Sequence, residues 1–141
     1  MLMRAYRKTW FGERLAGWVD EHGDTYRADW PSGPTKQPGW SVDEQGYVYI
    51  EAGEYRGVIG WMDDGGAVYA QYGRASSGFF NYPDSVGFFQ PRKTFSPALA
   101  FHVSSNGRVF HQGKLGVKII GHIEGASNLS EVAGLALVVL L

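Results

Sequence analysis

The sequence predicts an all-β fold, mainly antiparallel, in which repeated hairpins form a barrel- or flower-like arrangement around a buried apolar C-terminal helix. Three observations support this prediction. A short aromatic–glycine–aromatic phrase occurs four times, and the residues flanking each of its glycines favour turns and strands. The last ten residues have no polar face.

The repeated phrase consists of an aromatic residue, four or five further residues, a glycine, two residues and a second aromatic residue. The step from the glycine to the second aromatic residue is constant in all copies. Self-similarity with a period of about twenty residues is typical of small units that are stacked or arranged around an axis. The copies are Trp18–Gly23–Tyr26, Trp40–Gly46–Tyr49, Trp61–Gly66–Tyr69 and Phe101–Gly107–Phe110.

Each glycine follows residues that favour tight turns, among them Asp20, Asp43, Asp63 and Asn106. Glycine supplies the positive φ that hairpin turns need, and Asn-Gly is the strongest signal for a two-residue turn. The flanking segments, such as 47–50 and 67–72, are rich in β-branched and aromatic residues, which suit strands. Each copy is therefore predicted to be a hairpin.

The hairpins follow one another along a single domain, residues 1–141. Residues 1–14 are predicted to be a lead-in strand, and a proline-rich loop covers residues 31–39. An irregular segment rich in aromatic residues, 73–100, is either a degenerate unit that still packs or a functional excursion. The repeat units span about 15–30, 40–55, 57–75 and 101–124.

The C-terminal segment changes character. Asn128 with Glu131 three residues later resembles a helix N-cap, and residues 132–141 are apolar on every side. Such a helix must be buried, and it is too short to span a bilayer. We expect a helix over 129–141 that fills the centre of the β assembly; the alternatives are packing against copies of itself or a last buried strand.

Composition excludes several classes of function. The formal net charge of −1 gives no general attraction to nucleic acid or acidic membranes. The absence of cysteine excludes disulfides, thiolate metal sites and a cysteine nucleophile. The N-terminus lacks the apolar run of a signal peptide, so a cytoplasmic location is favoured over secretion.

The repeated aromatic residues have two interpretations. Large rings at matched positions are typical of a core, which is the favoured interpretation. Alternatively, some rings line grooves between units and stack on a ligand. The candidate ligand-binding residues are Trp18, Tyr26, Trp40, Tyr49, Trp61 and Tyr69.

The histidines are the candidate metal ligands. A two-residue turn at Asn106-Gly107 would place His102 opposite His111, with Phe101, Val103 and Phe110 on the core face. His22 or His122 could complete a metal site, but a surface pair without metal is favoured. Calcium at the acidic turns is disfavoured because the spacing lacks the alternating oxygen ligands of an EF-hand. No metal or cofactor is predicted.

The hairpin phrase resembles two groups of repeat proteins. Residues 60–69, GWMDDGGAVY, look like the bacterial four-fold β-flower domains, in which short hairpin units surround a pseudo-four-fold axis. This resemblance implies a fold and no activity. The Gly-Trp steps at 17–18, 39–40 and 60–61 are similar to those of choline-binding cell-wall repeats. That resemblance implies aromatic rings of neighbouring units around a quaternary ammonium.

No nucleophile elbow, phosphate-binding loop, zinc-binding HExxH or dinucleotide fingerprint occurs. We therefore expect a non-catalytic module that acts in protein interaction or self-assembly as a homo-oligomer. One alternative is binding of a carbohydrate or a choline-like ligand on Trp and Tyr platforms, with a protein or glycan as partner. The other is an enzyme whose site lies in residues 73–100.

Overall fold

The chain forms eleven strands and one helix in a computed structural model that describes residues 2–71 and 97–141. The strands are β1 (Met3–Thr9), β2 (Gly12–Val19), β3 (Thr25–Arg27), β4 (Thr35–Lys36), β5 (Gly39–Val42), β6 (Tyr47–Ala52), β7 (Tyr55–Met62), β8 (Ala67–Gln71), β9 (Pro97–Val103), β10 (Arg108–Gly113) and β11 (Gly116–Glu124). The helix α1 spans Leu129–Val139.

All eleven strands belong to one antiparallel sheet with the order β4-β3-β2-β1-β11-β10-β9-β8-β7-β6-β5. The sheet curls into a half-barrel, and α1 contacts strands from both halves of it, including β1, β5 and β7. The prediction of a mainly antiparallel all-β fold built from hairpins with a C-terminal helix is confirmed. Within the described residues, no helix is long and apolar enough to cross a membrane.

The first and last strands of the chain form a fifth unit that the sequence analysis did not predict. β1 pairs with β11, and Tyr6 lies opposite His122 as Tyr69 lies opposite Trp61 within the β7–β8 hairpin. The lead-in strand is therefore the outgoing strand of a unit whose incoming strand is β11. This pairing places the first and last strands of the chain next to each other inside the sheet. The edge strands of the sheet are β4 and β5.

A β-bulge recurs at the same place in four units. The unpaired residue lies on the incoming strand, two residues before the outward ring at Trp18, Trp61, His102 or His122. A bulge increases local twist and bends the strand, so four equivalent bulges account for much of the curl. The bulged residues are Ala16, Ile59, Ala100 and Ile120.

The four turn glycines adopt one conformation, with φ from +83° at Gly23 to +92° at Gly46. The amide of each glycine donates to the carbonyl of the residue three positions earlier, as Gly66 does to Asp63 at 3.2 Å. The amide of Asp63 donates to the carbonyl of Ala67. These bonds define three-residue loops, a type I turn followed by a left-handed glycine.

The two-residue turn predicted at Asn106-Gly107 is therefore wrong. Ser104 pairs with Arg108, and His102 lies opposite Phe110 instead of His111. The extra loop residue shifts the register by one position, which moves side chains to the other face of the sheet.

The core lies between α1 and the concave face of the sheet. Each unit contributes one fully or nearly fully buried residue just before its outgoing ring; these are Ala5, Thr25, Val48, Val68 and Val109. Residues 132–140 of the helical segment are buried as well. The expectation of a buried apolar helix is confirmed, although the helix ends at Val139 rather than at residue 141.

Helix and sheet fit together by matching large residues to small ones. Gly17 and Gly60 leave space for Val139 and Leu137, because a Cβ on either glycine would overlap these side chains. The reverse match occurs at β5, where the ring of Trp40 occupies the space beside Gly134. Cores tolerate little overpacking, so this alternation fixes the position of α1 along the sheet.

Both ends of α1 have polar partners. Asn128 is the N-cap and accepts the amide of Glu131 at 2.9 Å, and the Glu131 carboxylate accepts the amide of Ser127 at 2.6 Å. The predicted cap at Asn128 and Glu131 is thus confirmed. At the other end the Arg7 guanidinium donates to the carbonyl of Leu140 at 2.9 Å, as suits the negative end of a helix dipole.

The repeat predicts unequal effects of alanine at two turn glycines. A Cβ at Gly66 would overlap the carbonyl oxygen of Val103 in the next unit, whereas the space around Gly23 is open. Gly23→Ala should lower the free energy of unfolding by about 1–2 kcal/mol for positive φ alone. Gly66→Ala should lose a further 1–3 kcal/mol or so from overpacking. Equilibrium urea unfolding measures both, and equal losses would contradict the close approach of the turns.

Candidate functional site

The six candidate aromatic residues divide between the two faces of the sheet. Trp18 and Trp61 precede their turn glycine by five residues, but Trp40 precedes Gly46 by six. Because side chains alternate along a strand, Trp40 faces the core while the other two face outward. Phe101 shares the six-residue spacing of Trp40 and is buried, whereas Trp40 is partly buried and packs against the core.

The outward rings form cross-strand stacks within the units of Trp18 and Trp61. Trp18 stacks on Tyr26 with centroids 5.6 Å apart, and Trp61 stacks on Tyr69 at 5.5 Å. Tyr47 of the preceding unit approaches Trp61 at 6.3 Å. Four of the six candidates are therefore brought together as two pairs of half-buried rings.

The same outward position carries further pairs that sequence reasoning missed. His102 stacks on Phe110 at 5.6 Å, and His122 stacks on Tyr6 at 4.9 Å. A signal for both existed. His102 lies five residues before Gly107, and Gly-His at 121–122 occupies the place of Gly-Trp at 60–61.

Tyr49 differs from the other outgoing rings because Ser41 lies opposite it. Its hydroxyl donates to the Asp43 carboxylate at 3.2 Å. Burial, followed by the charge of Asp43, raises the pKa of Tyr49. The guanidinium of Arg56 lies 3.7 Å from the ring centroid, so a cation of the chain itself already occupies a face of this ring.

Trp40 packs against the core. Its indole N–H donates to the Thr25 hydroxyl at 2.9 Å. Thr25 is the one polar residue among the five matched core positions, and this bond gives its hydroxyl a partner. The bond also joins β3 to β5, near the two ends of the sheet.

The histidines do not form the predicted pair. His111 lies opposite Lys118 on β11 and is exposed, whereas His102 faces Phe110 and its Nδ1 is buried without a hydrogen-bond partner among the described atoms. Phe110 faces outward rather than into the core, and Val109 takes the core position. Within residues 2–71 and 97–141, no group of three or more potential ligands could hold a metal ion.

His122 has acidic neighbours on both sides. Its Nδ1 contacts the Glu13 carboxylate, and its Nε2 lies 3.5 Å from Glu124. His122 and Glu13 line an open groove of about 570 Å³ together with Lys8 and Arg108.

The aspartates of the acidic turns accept hydrogen bonds from the backbone of their own loops. One carboxylate oxygen of Asp20 accepts the amides of His22 and Asp24, and Asp43 and Asp63 accept the corresponding amides of their loops at 2.9 Å. Side-chain bonds of this kind explain why aspartate favours such turns.

The opposite end of the sheet exposes apolar side chains on two neighbouring hairpin loops. Trp10 and Phe11 on the β1–β2 loop and Leu115 on the β10–β11 loop are fully exposed. Because β1 pairs with β11 in antiparallel register, both loops lie at the same end. We call Trp10, Phe11 and Leu115 the apolar tips.

Comparison of the chain with known protein families, with curated proteins and with solved structures finds no match. Most of the segment 73–100, where an enzymatic site was one alternative, lies outside the described residues; its last four residues belong to β9.

The two kinds of tryptophan should respond differently to truncation. Trp40→Ala should lower the free energy of unfolding by about 3–5 kcal/mol, because it empties a core site and leaves Thr25 without its donor. Trp18→Ala should cost only about 1 kcal/mol, the scale of a single aromatic pair. Thermal and urea unfolding of the two variants compare them directly, and similar losses would contradict the assignment of faces.

Proposed function

We propose that this protein is a non-catalytic interaction module that self-associates through its apolar tips. The single observation that carries the proposal is the complete exposure of Trp10, Phe11 and Leu115 at one end of the sheet. Isolated surface hydrophobic residues are common, but large apolar side chains grouped on neighbouring loops are typical of interaction sites. Tryptophan is also enriched among residues that dominate binding energy.

The distribution of charge supports a second copy of the chain as the partner. Residues 8–14 and 113–118 at the tip end carry Lys8, Arg14, Lys114 and Lys118 against one carboxylate, Glu13. The first three turns, at the opposite end, carry only acidic charges: Asp20, Glu21, Asp24, Asp43, Glu44, Asp63 and Asp64.

Head-to-tail contact would place the basic tips of one copy against the acidic turns of the next. Such complementarity guides association and suppresses the like-charged tip-to-tip arrangement. A head-to-tail contact is heterologous, so it produces a ring or an open filament rather than a two-fold dimer.

Ligand binding on the outward rings is the second candidate. The stacks of Trp18 with Tyr26 and of Trp61 with Tyr69 each present half-buried aromatic surface to solvent, which suits a carbohydrate ring better than a cage for a quaternary ammonium. Binding on a glycan array that is lost in Trp18→Ala and retained in Trp40→Phe would favour this candidate.

Self-association should depend on both the tips and the salt concentration. Sedimentation velocity of the full chain should show assemblies that grow with protein concentration at low ionic strength. They should shrink as the Debye length falls from about 30 Å at 0.01 M to about 3 Å at 1 M salt. The double variant Trp10→Ser/Phe11→Ser should remain monomeric in both conditions.

Leu99→Ser is the matched control, since Leu99 is 52% exposed and lies on strand β9 rather than on either of the two tip loops. It should associate as the unchanged chain does. Self-association would be refuted if the unchanged chain were monomeric at every protein concentration at low salt. It would also be refuted if the tips could be replaced without an effect on assembly.

A further inference from the structure

We propose that Arg7, Arg14 and Arg27 form a binding site for a small anion that carries a phosphate or carboxylate group. The three residues line a recess of about 190 Å³ at the C-terminal end of α1. One water occupies roughly 30 Å³ in the liquid, so the recess has room for such a group. Val139 and the exposed Trp30 also line it.

Strand register brings the arginines together. Arg7 and Arg14 lie opposite each other on β1 and β2, and Arg27 follows on β3, opposite Gly17. Between Arg14 and Gly17 lies the bulge at Ala16, which bends β2 at this point. The site therefore depends on the fold, although its residues are distant along the chain.

The recess carries excess positive charge. Asp29 is the one carboxylate among the described lining residues, and its Oδ1 lies 3.6 Å from the Arg27 Nε. Burial, followed by the charge of Arg27, lowers the pKa of Arg7. Two guanidinium groups thus repel each other in a partly dry space, and an anion between them would relieve that repulsion.

Hydrogen-bond donors remain for a ligand. Arg7 uses one Nη2 donor on the Leu140 carbonyl, and a guanidinium has five donors. Arg14 is exposed and has no side-chain hydrogen bond or ion pair with the described part of the chain. The planar donor pairs of guanidinium match the oxygens of phosphate and carboxylate groups.

Stabilisation of the helix end does not account for this cluster. One cation that donates to a terminal carbonyl satisfies the end of a helix, and Arg7 alone does so. Arg14 and Arg27 add positive charge that forms no ion pair with the described residues, apart from the single contact of Arg27 with Asp29. An anion ligand gives these two residues a role.

Isothermal titration calorimetry of the full chain with inorganic phosphate, and separately with acetate, at constant ionic strength tests the site. We expect saturable binding of at least one of the two anions, with a stoichiometry of one. Phosphate alone would indicate a phosphorylated ligand and acetate alone a carboxylate ligand. Arg14→Gln and Arg27→Gln should each weaken the binding at least tenfold.

Arg56→Gln is the matched control. Arg56 lies outside the recess, and its Nε is 3.6 Å from a carboxylate, Glu51, as in the Arg27 pair. It should bind the anion as the unchanged chain does, and the anion should raise its Tm but not that of Arg14→Gln. No saturable binding of either anion would overturn the proposal, and so would equal weakening by Arg56→Gln, which would indicate general charge attraction.

Discussion

The burial of an apolar helix is the constraint on which the rest of the structure depends. Helix α1 has no polar face, so every side of it must contact protein. A flat sheet covers one side of a helix only. The sheet must therefore curl around α1, and the recurring bulges at Ala16, Ile59, Ala100 and Ile120 supply the bend at equivalent places.

The helix surface is not five-fold symmetric, so similar hairpins cannot all pack against it with the same side chains. The hairpins differ at one position, six residues before the turn glycine. Gly17 and Gly60 occupy that position where the helix presents Val139 and Leu137, and Trp40 occupies it where the helix presents Gly134. Variation at this position is thus a consequence of packing against an asymmetric partner.

Local features of the fold could be predicted from the sequence because they depend on neighbouring residues. The turn glycines, the flanking strands and the cap at Asn128 are of this kind. The face of the sheet that an aromatic residue occupies depends on whether it lies five or six residues before its turn glycine. Trp18 and Trp40 were treated as equivalent, so their opposite orientations were not predicted. A one-residue error in loop length likewise placed His111 opposite His102.

Features that arise from distant pairing could not be predicted. Tyr6 and His122 complete a fifth unit only because β1 pairs with β11, and a repeat split between the two ends of a chain shows half of its pattern at each end. The arginine recess is similar: Arg7, Arg14 and Arg27 share no motif, and only the register of three strands places them around the end of α1.

The helix dipole and the repeat together determine where charge accumulates. Each acidic turn places an aspartate at the end of the sheet where α1 begins, and Glu131 lies in the first turn of α1, where negative charge is favourable. Arg7 lies at the other end, where α1 ends and positive charge is favourable. The two terminal effects act in the same direction along the axis of the half-barrel. Because Arg7 alone suffices for the helix end, the additional charge of Arg14 and Arg27 remains available to attract an anion.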